Sequence, residues 1–265
     1  MPRCTHWSRV WWLAMGSMFW LTLVHGAEPQ RLTAQSSPHT VALLELYTSE
    51  GCNSCPPADA WLRSVPSRFR PDQVVPLALH VDYWDYLGWP DRFAQPVFTQ
   101  RQRSIAAQQR QRTVYTPQVV LQGQDFQDWR SLGEQVQRIN HTPARASITL
   151  QVVAHFPTAV EVDAAVVVPD TVARQQAAMY VALYENNLQS RVTAGENSGH
   201  TLHHDFVTRQ WLGPLAVDDQ GTAQMQHRLT LDKNWQPSQL GIVAFVQHQH
   251  NSDILQALAL PLGQQ

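Results

Sequence analysis

Two cysteines stand three positions apart in the segment Glu45-Leu46-Tyr47-Thr48-Ser49-Glu50-Gly51-Cys52-Asn53-Ser54-Cys55-Pro56-Pro57, where a strand pattern gives way to a helical one. Residues 41–47 form a short apolar run, and apolar residues recur at helical spacing after the prolines. Two successive prolines are tolerated only in the first turn of a helix, so we expect a helix that starts near Ser54 or Cys55, with Ser54 as its N-cap. The cysteines therefore lie at a joint between strand and helix.

This position gives the cysteine pair a chemical meaning. At the start of a helix, unpaired backbone N–H groups and the positive end of the helix dipole stabilise a thiolate and lower its pKa. In such a site an exposed first sulfur attacks, and the second sulfur resolves the mixed disulfide. The segment therefore predicts a redox site, with Cys52 as nucleophile and Cys55 as resolving thiol.

Two other interpretations of the cysteine pair remain open. The pair could form a static disulfide, or it could bind copper or zinc together with histidines. A closed zinc site needs four ligands, and the sequence has no second Cys-x-x-Cys. Thiolates suit Cu(I), for which His80 is a candidate third ligand, although its apolar neighbours predict that its side chain points into a sheet.

Residues 1–27 have the pattern of an export signal. Arg3 and Arg9 precede an apolar run over residues 10–24, and the small residues Gly26 and Ala27 mark candidate cleavage positions. The apolar run is short for a membrane span, although an uncleaved anchor is the competing interpretation. We therefore expect a periplasmic or secreted protein with no stable membrane span after cleavage.

The cysteine count and the net charge limit the kinds of partner that the protein is expected to bind. Of three cysteines, Cys4 lies in the predicted signal, so Cys52 and Cys55 can pair only with each other or with a partner's thiols. In an oxidising compartment we expect them to form a disulfide with each other. The formal net charge of −2 and the lack of a long basic run argue against nucleic acid. The expected partners are protein thiols or disulfides, and no cofactor motif is present.

After a polar, flexible lead-in over residues 28–40, the ordered chain is expected to start near Val41. Residues 73–81 are a second apolar run, which predicts a strand buried on both faces and parallel to the first. Four aromatic residues and three carboxylates follow in residues 82–91. Ligands bind at the carboxyl ends of parallel strands, so we expect Asp82 and Trp84 to bind substrate.

The order of elements over residues 41–141 resembles the thioredoxin fold: strand, Cys-x-x-Cys helix, strand, helix, Thr-Pro, strand, turn and helix. The resemblance implies that the bond between Thr116 and Pro117 is cis, that Pro117 faces the disulfide and that Thr116 contacts substrate. The inter-cysteine pair Asn53-Ser54 differs from the Gly-Pro of ordinary thioredoxins. The direction of electron flow therefore stays open.

Several motifs are also similar to a secreted bacterial thioredoxin-like family, catalogued as domain of unknown function 1223. They are residues 45–59, His80-Val81-Asp82-Tyr83-Trp84-Asp85, Leu87-Gly88-Trp89, Val114-Tyr115-Thr116-Pro117-Gln118, Glu185-Asn186 and Leu202-His203-His204. The resemblance covers most of the mature chain and implies fold and location more firmly than substrate.

The second half of the chain follows another pattern. From Ala146 onward, polar and apolar residues alternate in runs separated by turn residues, which predicts an antiparallel β-sandwich. The predicted fold is an α/β thioredoxin-like domain over residues 41–142 followed by a mainly β, sandwich-like domain over residues 143–265. Its histidines fall in two groups, but no cysteine or carboxylate completes a metal site with them: His200, His203, His204, His248 and His250.

Taken together, these patterns predict an exported thiol-disulfide oxidoreductase with Pro117 shaping the substrate groove beside Cys52 and Cys55. A binding module with a structural disulfide and a Cu(I)-handling protein are the alternative hypotheses.

Overall fold

The structure is a computed structural model that describes residues 1–2 and 28–263. The predicted signal peptide therefore falls almost entirely outside the described residues. The described part of the chain is mostly β, with fourteen strands, four α-helices and several short 3-10 helices. None of the helices in this part is long and apolar enough to cross a membrane.

The first half of the chain alternates strands with helices. Its elements are β1 (Gln30–Gln35), β2 (Ala42–Thr48), α1 (Pro56–Arg63), β3 (Val74–His80), α2 (Pro96–Gln108), β4 (Gln118–Leu121), β5 (Gln124–Asp125) and α3 (Leu132–Asn140). Strand β2 pairs with β3 in parallel and with β4 in antiparallel. Every residue of β2 and β3 is buried, as the two apolar runs predict.

The second half is almost entirely strand. Its elements are β6 (Ser147–His155), β7 (Ala159–Val167), α4 (Thr171–Arg174), β8 (Ala177–Glu185), β9 (Leu188–Arg191), β10 (Thr201–His204), β11 (Val207–Ala216), β12 (Thr222–Thr230), β13 (Leu240–His248) and β14 (Ile254–Pro261). Neighbouring strands within this half are antiparallel, as the alternating pattern predicts. In β6, for example, every second residue is buried.

The strands form one large sheet and two smaller ones. The eight-stranded sheet has the order β14-β13-β8-β11-β3-β2-β4-β5, the four-stranded sheet β1-β6-β7-β12, and β9 pairs with β10. Strand β11 joins β3 in parallel through Val207 and Ala78. The large sheet therefore crosses the predicted boundary near Thr142, because local alternation does not specify which distant strand becomes a neighbour.

The four-stranded sheet packs on one end of the large sheet. Ile148 and Leu150 of β6 meet Met179 of β8 and Ile242 of β13 in one apolar core. The opposite face of the same strands packs on β2 and β3, so the large sheet curls back on itself. Strands β2 and β3 thereby become buried within the molecule.

Helices cover the rest of β2 and β3. Helices α1 and α3 cover one face through Leu62 and Val136, and α2 covers part of the other through Phe98. Burying such apolar side chains contributes about 1.5–3 kcal/mol each. The carboxyl end of β2, where the cysteines follow, is thus held between layers.

The prediction of a flexible lead-in is wrong for residues 30–35. Strand β1 pairs along its length with the edge of β6, and Leu32 packs against the core between the two sheets. The Ser36 amide donates to the Ile148 carbonyl oxygen at 2.9 Å. The polar sequence concealed this strand because an edge strand obtains its hydrogen bonds from a partner and needs little apolar surface.

Candidate functional site around the Cys52–Cys55 disulfide

Cys52 and Cys55 form a disulfide between β2 and α1, as predicted, with their Cα atoms 5.5 Å apart. Helix α1 begins at Pro56 with Cys55 as its N-cap, so the prediction of Ser54 as N-cap is wrong. The Ser54 hydroxyl instead lies 3.3 Å from Cys52 Sγ. Both cysteines are fully buried, which corrects the expectation of an exposed Cys52.

A loop from the second half of the chain lies against the cysteine segment; residues 192–200 between β9 and β10 are called the capping loop below. The buried Asn197 amide donates to the carbonyl oxygens of Glu50 at 2.9 Å and Cys52 at 3.0 Å. The backbone N–H of Asn53 in turn donates to a carboxylate oxygen of Glu196 at 3.0 Å. The capping loop is therefore fixed at both sides of Cys52, and it covers this cysteine.

Trp84 connects two predicted parts of the site. The bond between Thr116 and Pro117 is cis, as predicted, and it immediately precedes β4. The Trp84 indole N–H donates to Thr116 Oγ1 at 2.7 Å. A Cβ added to Gly51 would lie only 3.1 Å from Trp84 Cβ, so Trp84 packs directly on the residue before Cys52. Trp84 thus connects Gly51 of the cysteine segment with Thr116, the residue before Pro117. That Pro117 faces the disulfide stays a prediction.

Asp82 has a different position from these three residues. The Thr99 hydroxyl donates to its carboxylate at 2.5 Å and accepts from its backbone N–H at 3.3 Å, which fastens the aromatic loop to α2. The next residue, Tyr83, donates its hydroxyl to Gln102 of the same helix at 3.1 Å. In this structure the Asp82 carboxylate therefore anchors the loop, and its role as a substrate ligand stays a prediction.

Five buried ionisable side chains surround the start of α1; they are called the carboxylate–histidine cluster below and comprise Glu50, Asp59, His80, Asp91 and His204. His80 Nδ1 lies 2.7 Å from Asp91 Oδ2. His204 lies between two other carboxylates, with Nε2 3.4 Å from Glu50 Oε1 and Nδ1 3.6 Å from Asp59 Oδ2. The two imidazole rings meet edge to face at 5.0 Å, so the cluster is continuous.

The environment shifts the pKa values within this cluster in different directions. Burial pushes the pKa of Asp91 upward, but the charge and hydrogen bond of His80 outweigh it and lower the pKa. Burial likewise opposes the charged form of His80, yet Asp91 raises the pKa of this imidazole. Both shifts therefore favour the charged forms of this hydrogen-bonded pair. Burial raises the pKa of Asp59, so its carboxyl group keeps a proton more readily than an exposed aspartate does.

The carboxylate–histidine cluster is incompletely hydrogen-bonded. His80 Nε2, both ring nitrogens of His204 and Glu50 Oε1 are buried without a hydrogen-bond partner in the structure. The contacts of His204 are within ion-pair distance but do not meet hydrogen-bond geometry. Buried polar groups are usually hydrogen-bonded, so unpaired ones beside the disulfide mark this region as a candidate functional site.

The histidines considered as metal ligands lie in different surroundings in this structure. His200, His203 and His250 are exposed and His204 is buried in the carboxylate–histidine cluster. Among residues 28–263, no three His, Cys, Asp or Glu side chains are placed to hold a metal ion. The inward orientation of His80 agrees with the apolar run in which it stands.

Sequence reasoning missed most of the carboxylate–histidine cluster and the capping loop. Leu202 and His204 are buried while Thr201 and His203 are exposed, so strand alternation in β10 was a usable signal for His204. Asp59 had a weaker signal because it lies one turn beyond Cys55 on α1. No local pattern announces Asn197, which contacts a residue 145 positions away.

The fold and site define a mostly β protein with a buried Cys-x-x-Cys disulfide at the start of a helix. The chain belongs to the family described as protein of unknown function (DUF1223), whose sequence model matches residues 43–247. The family resemblance noted from the sequence motifs is thus confirmed. No curated protein sequence matches the chain.

Two solved structures are similar to this one. The X-ray crystal structure of a protein from Agrobacterium tumefaciens has 24% sequence identity and a TM-score of 0.60, over 87% of this chain and 98% of that chain. HBP35 of Porphyromonas gingivalis has 15% identity and a TM-score of 0.64, over 86% of this chain and 76% of its own. At these identities the likeness concerns the fold alone.

Proposed function

We propose that the protein is an exported thiol-disulfide oxidoreductase with a thioredoxin-like fold, acting on protein thiols or disulfides through Cys52 and Cys55. The observation that carries the proposal is the disulfide at the start of α1, linked through Trp84 to the Thr116–Pro117 segment. The strand order β3-β2-β4-β5, with β4 antiparallel to β2, supports the thioredoxin-like assignment.

The proposed reaction exchanges one disulfide for another. A thiolate of a protein dithiol attacks Cys52 Sγ, a new S–S bond forms, and the Cys52–Cys55 bond breaks. Cys55 leaves as a thiolate and takes up a proton. The second thiolate of the substrate attacks the mixed disulfide, so the substrate loses two electrons and Cys52 is released. The reverse sequence reduces a substrate disulfide, and the relative reduction potentials set the direction.

The surroundings of the cysteines supply what this exchange needs. The amino-terminal end of α1 stabilises a thiolate. Asp59 lies one turn beyond Cys55, and its backbone N–H donates to the Cys55 carbonyl oxygen at 3.0 Å. Burial raises the pKa of Asp59, whose carboxyl oxygen lies 3.6 Å from His204 Nδ1 in the carboxylate–histidine cluster beside this helix.

The proposal also requires access to Cys52. The sulfur is buried, and the capping loop is bonded to both sides of it. We therefore expect exchange to proceed from a form in which residues 192–200 have moved away. Export is part of the proposal because residues 1–27 have the pattern of a signal and the remaining chain keeps only one cysteine pair.

A trapping experiment tests the proposal. With Cys55→Ser, Cys52 should retain substrate proteins as mixed disulfides in the periplasm, since the resolving thiol is gone. Cys52→Ser is the matched control and should retain none or a different set. Capture by neither variant, together with no dithiol oxidation or disulfide reduction by the wild-type protein, would contradict the proposed function.

The burial of both cysteines specifically favours one alternative, a binding module with a structural disulfide. Equilibration with glutathione or dithiothreitol buffers distinguishes the two. A pair with a potential below about −300 mV would behave as a structural disulfide, and a higher value supports exchange.

A further inference from the structure

A cavity of about 630 Å³ lies where the ends of β8, β13 and β14 come near the start of β3. None of its lining residues belongs to the cysteine segment, the capping loop or the carboxylate–histidine cluster. Cavities of this size commonly hold small-molecule ligands. The cavity is therefore separate from the site of the proposed exchange reaction.

The wall of this cavity is mainly apolar and conformationally restricted. Val65, Val74, Leu240 and Ala259 contribute to it. Four prolines also line it: Pro66, Pro71, Pro76 and Pro261. Proline rings fix the backbone φ angle, so much of the wall is held in place before a ligand arrives. This lining suits a hydrocarbon chain.

Tyr184 provides a buried polar group in the same wall. The residue is 4% exposed, and no hydrogen bond contributes to the environment of its hydroxyl in the part of the chain that the structure describes. Burial raises the pKa of Tyr184 to about 12, so the phenol remains protonated and able to donate. The hydroxyl is therefore able to donate to an oxygen atom of a ligand in the cavity.

The charged residues at the rim of the cavity favour a negatively charged ligand. Arg68 and Arg70 line the cavity, whereas no Asp or Glu does. Arg70 is paired with Asp72 at 2.9 Å, but Arg68 has no carboxylate partner in the part of the chain that the structure describes. Its guanidinium is exposed and lies 5.3 Å from the centre of the Phe69 ring. Arg68 thus lines the rim with a cationic side chain, whose guanidinium lies near Phe69 and near Gly133 of α3.

We propose that this cavity binds a fatty acid, with Arg68 and Tyr184 donating to its carboxylate and the apolar wall enclosing its chain. An acid of this kind supplies both the acceptor oxygens and the negative charge that the cavity lacks. It also buries its chain without leaving any polar group unmatched.

Fluorescence titration of the mature protein with 11-(dansylamino)undecanoic acid tests this proposal. We expect saturable binding that dodecanoate displaces and dodecan-1-ol displaces at least tenfold less well. Arg68→Gln and Tyr184→Phe should each weaken binding by roughly fivefold to tenfold, since each removes one hydrogen bond to a charged group. Ala259→Phe should fill the cavity and abolish binding.

Arg112→Gln is the matched control, because it removes an exposed arginine outside the cavity and should leave the affinity unchanged. Cys52→Ser should bind the probe normally, so failure of the exchange reaction leaves this proposal intact. Absence of saturable binding, equal displacement by dodecan-1-ol, or unchanged affinity in both Arg68→Gln and Tyr184→Phe would overturn it.

Discussion

The side-chain amide of Asn197 donates to the carbonyl oxygen of Cys52 at 3.0 Å, across 145 residues of sequence. The same amide donates to the carbonyl oxygen of Glu50 at 2.9 Å. One side chain of the capping loop therefore fixes the backbone immediately before the disulfide. Movement of this loop away from Cys52 must break both bonds.

Asn197→Ala should accelerate reduction of the disulfide. Loss of two hydrogen bonds favours the open form of the capping loop by about 1–2 kcal/mol, which corresponds to a roughly fivefold to thirtyfold higher rate. The rate is measured by alkylation of the released thiols after addition of a phosphine reductant. Asn234→Ala is the control, because Asn234 is exposed and its side chain has no hydrogen bond in the structure. Equal rates in both variants would show that Asn197 does not restrict access.

Trp84→Phe should weaken the connection between the cysteine segment and the Thr116–Pro117 segment. The substitution keeps an aromatic ring against Gly51 but removes the hydrogen bond to Thr116, at a cost of about 1 kcal/mol in the free energy of unfolding. Disulfide-exchange activity should fall by a larger factor than the decrease in the folded fraction of the protein accounts for. Urea unfolding and dithiol oxidation measure the two effects.

Trp129→Phe provides the matched control for that experiment. Trp129 stacks on Trp61 at 5.0 Å, and its indole N–H makes no hydrogen bond in the structure. The same chemical change there should leave exchange activity unaltered. Parallel losses of activity in both variants would contradict a specific role for the Trp84–Thr116 bond.

The local parts of this site could be predicted from sequence, because they depend on neighbouring residues. The Cys52–Cys55 disulfide follows from the position of its cysteines between an apolar run and two prolines. The cis bond at Pro117 was implied by the order of elements around it. The disulfide is thus specified by adjacent residues, whereas the cis bond followed from the resemblance over residues 41–141.

The features that sequence analysis did not predict depend on contacts between residues that are distant in the chain. Val207 joins the two halves of the large sheet through Ala78, but nothing in the alternation of β11 identifies β3 as its neighbour. The carboxylate–histidine cluster likewise combines Glu50 and His204, whose separation in sequence gives no periodic signal. Such contacts follow from the topology, which local patterns leave undetermined.

Arg101→Met should destabilise the protein strongly. Arg101 forms a bidentate pair with the fully buried Glu45, at 2.7 Å and 3.1 Å, and lies about 5 Å from the ring centres of Tyr180, Trp211 and Phe245. Removing it leaves an unpaired buried carboxylate, which costs about 3–5 kcal/mol in the free energy of unfolding.

The double variant Glu45→Gln with Arg101→Met should recover part of this loss, because no unpaired charge then remains buried. Urea unfolding of the two single variants and the double variant gives the interaction free energy. A double variant as unstable as the sum of the single losses would show that the two side chains do not interact.

The contact between His80 and Asp91 predicts that stability falls as the pH rises through the raised pKa of His80. Asp91 raises the pKa of His80 above its unfolded value of about 6.5 despite burial. The contribution of His80 to stability is therefore fully present below about pH 6.5 and is lost as the pH rises through the higher folded pKa.

His80→Gln should abolish that fall in stability, whereas His141→Gln, which changes an exposed imidazole, should preserve it. Urea unfolding at intervals from pH 5.5 to 9, values chosen around the unfolded pKa of about 6.5, measures the slope. An unchanged slope in His80→Gln would mean that another group of the carboxylate–histidine cluster carries the dependence, and Asp59→Asn then tests the carboxyl group whose pKa burial raises.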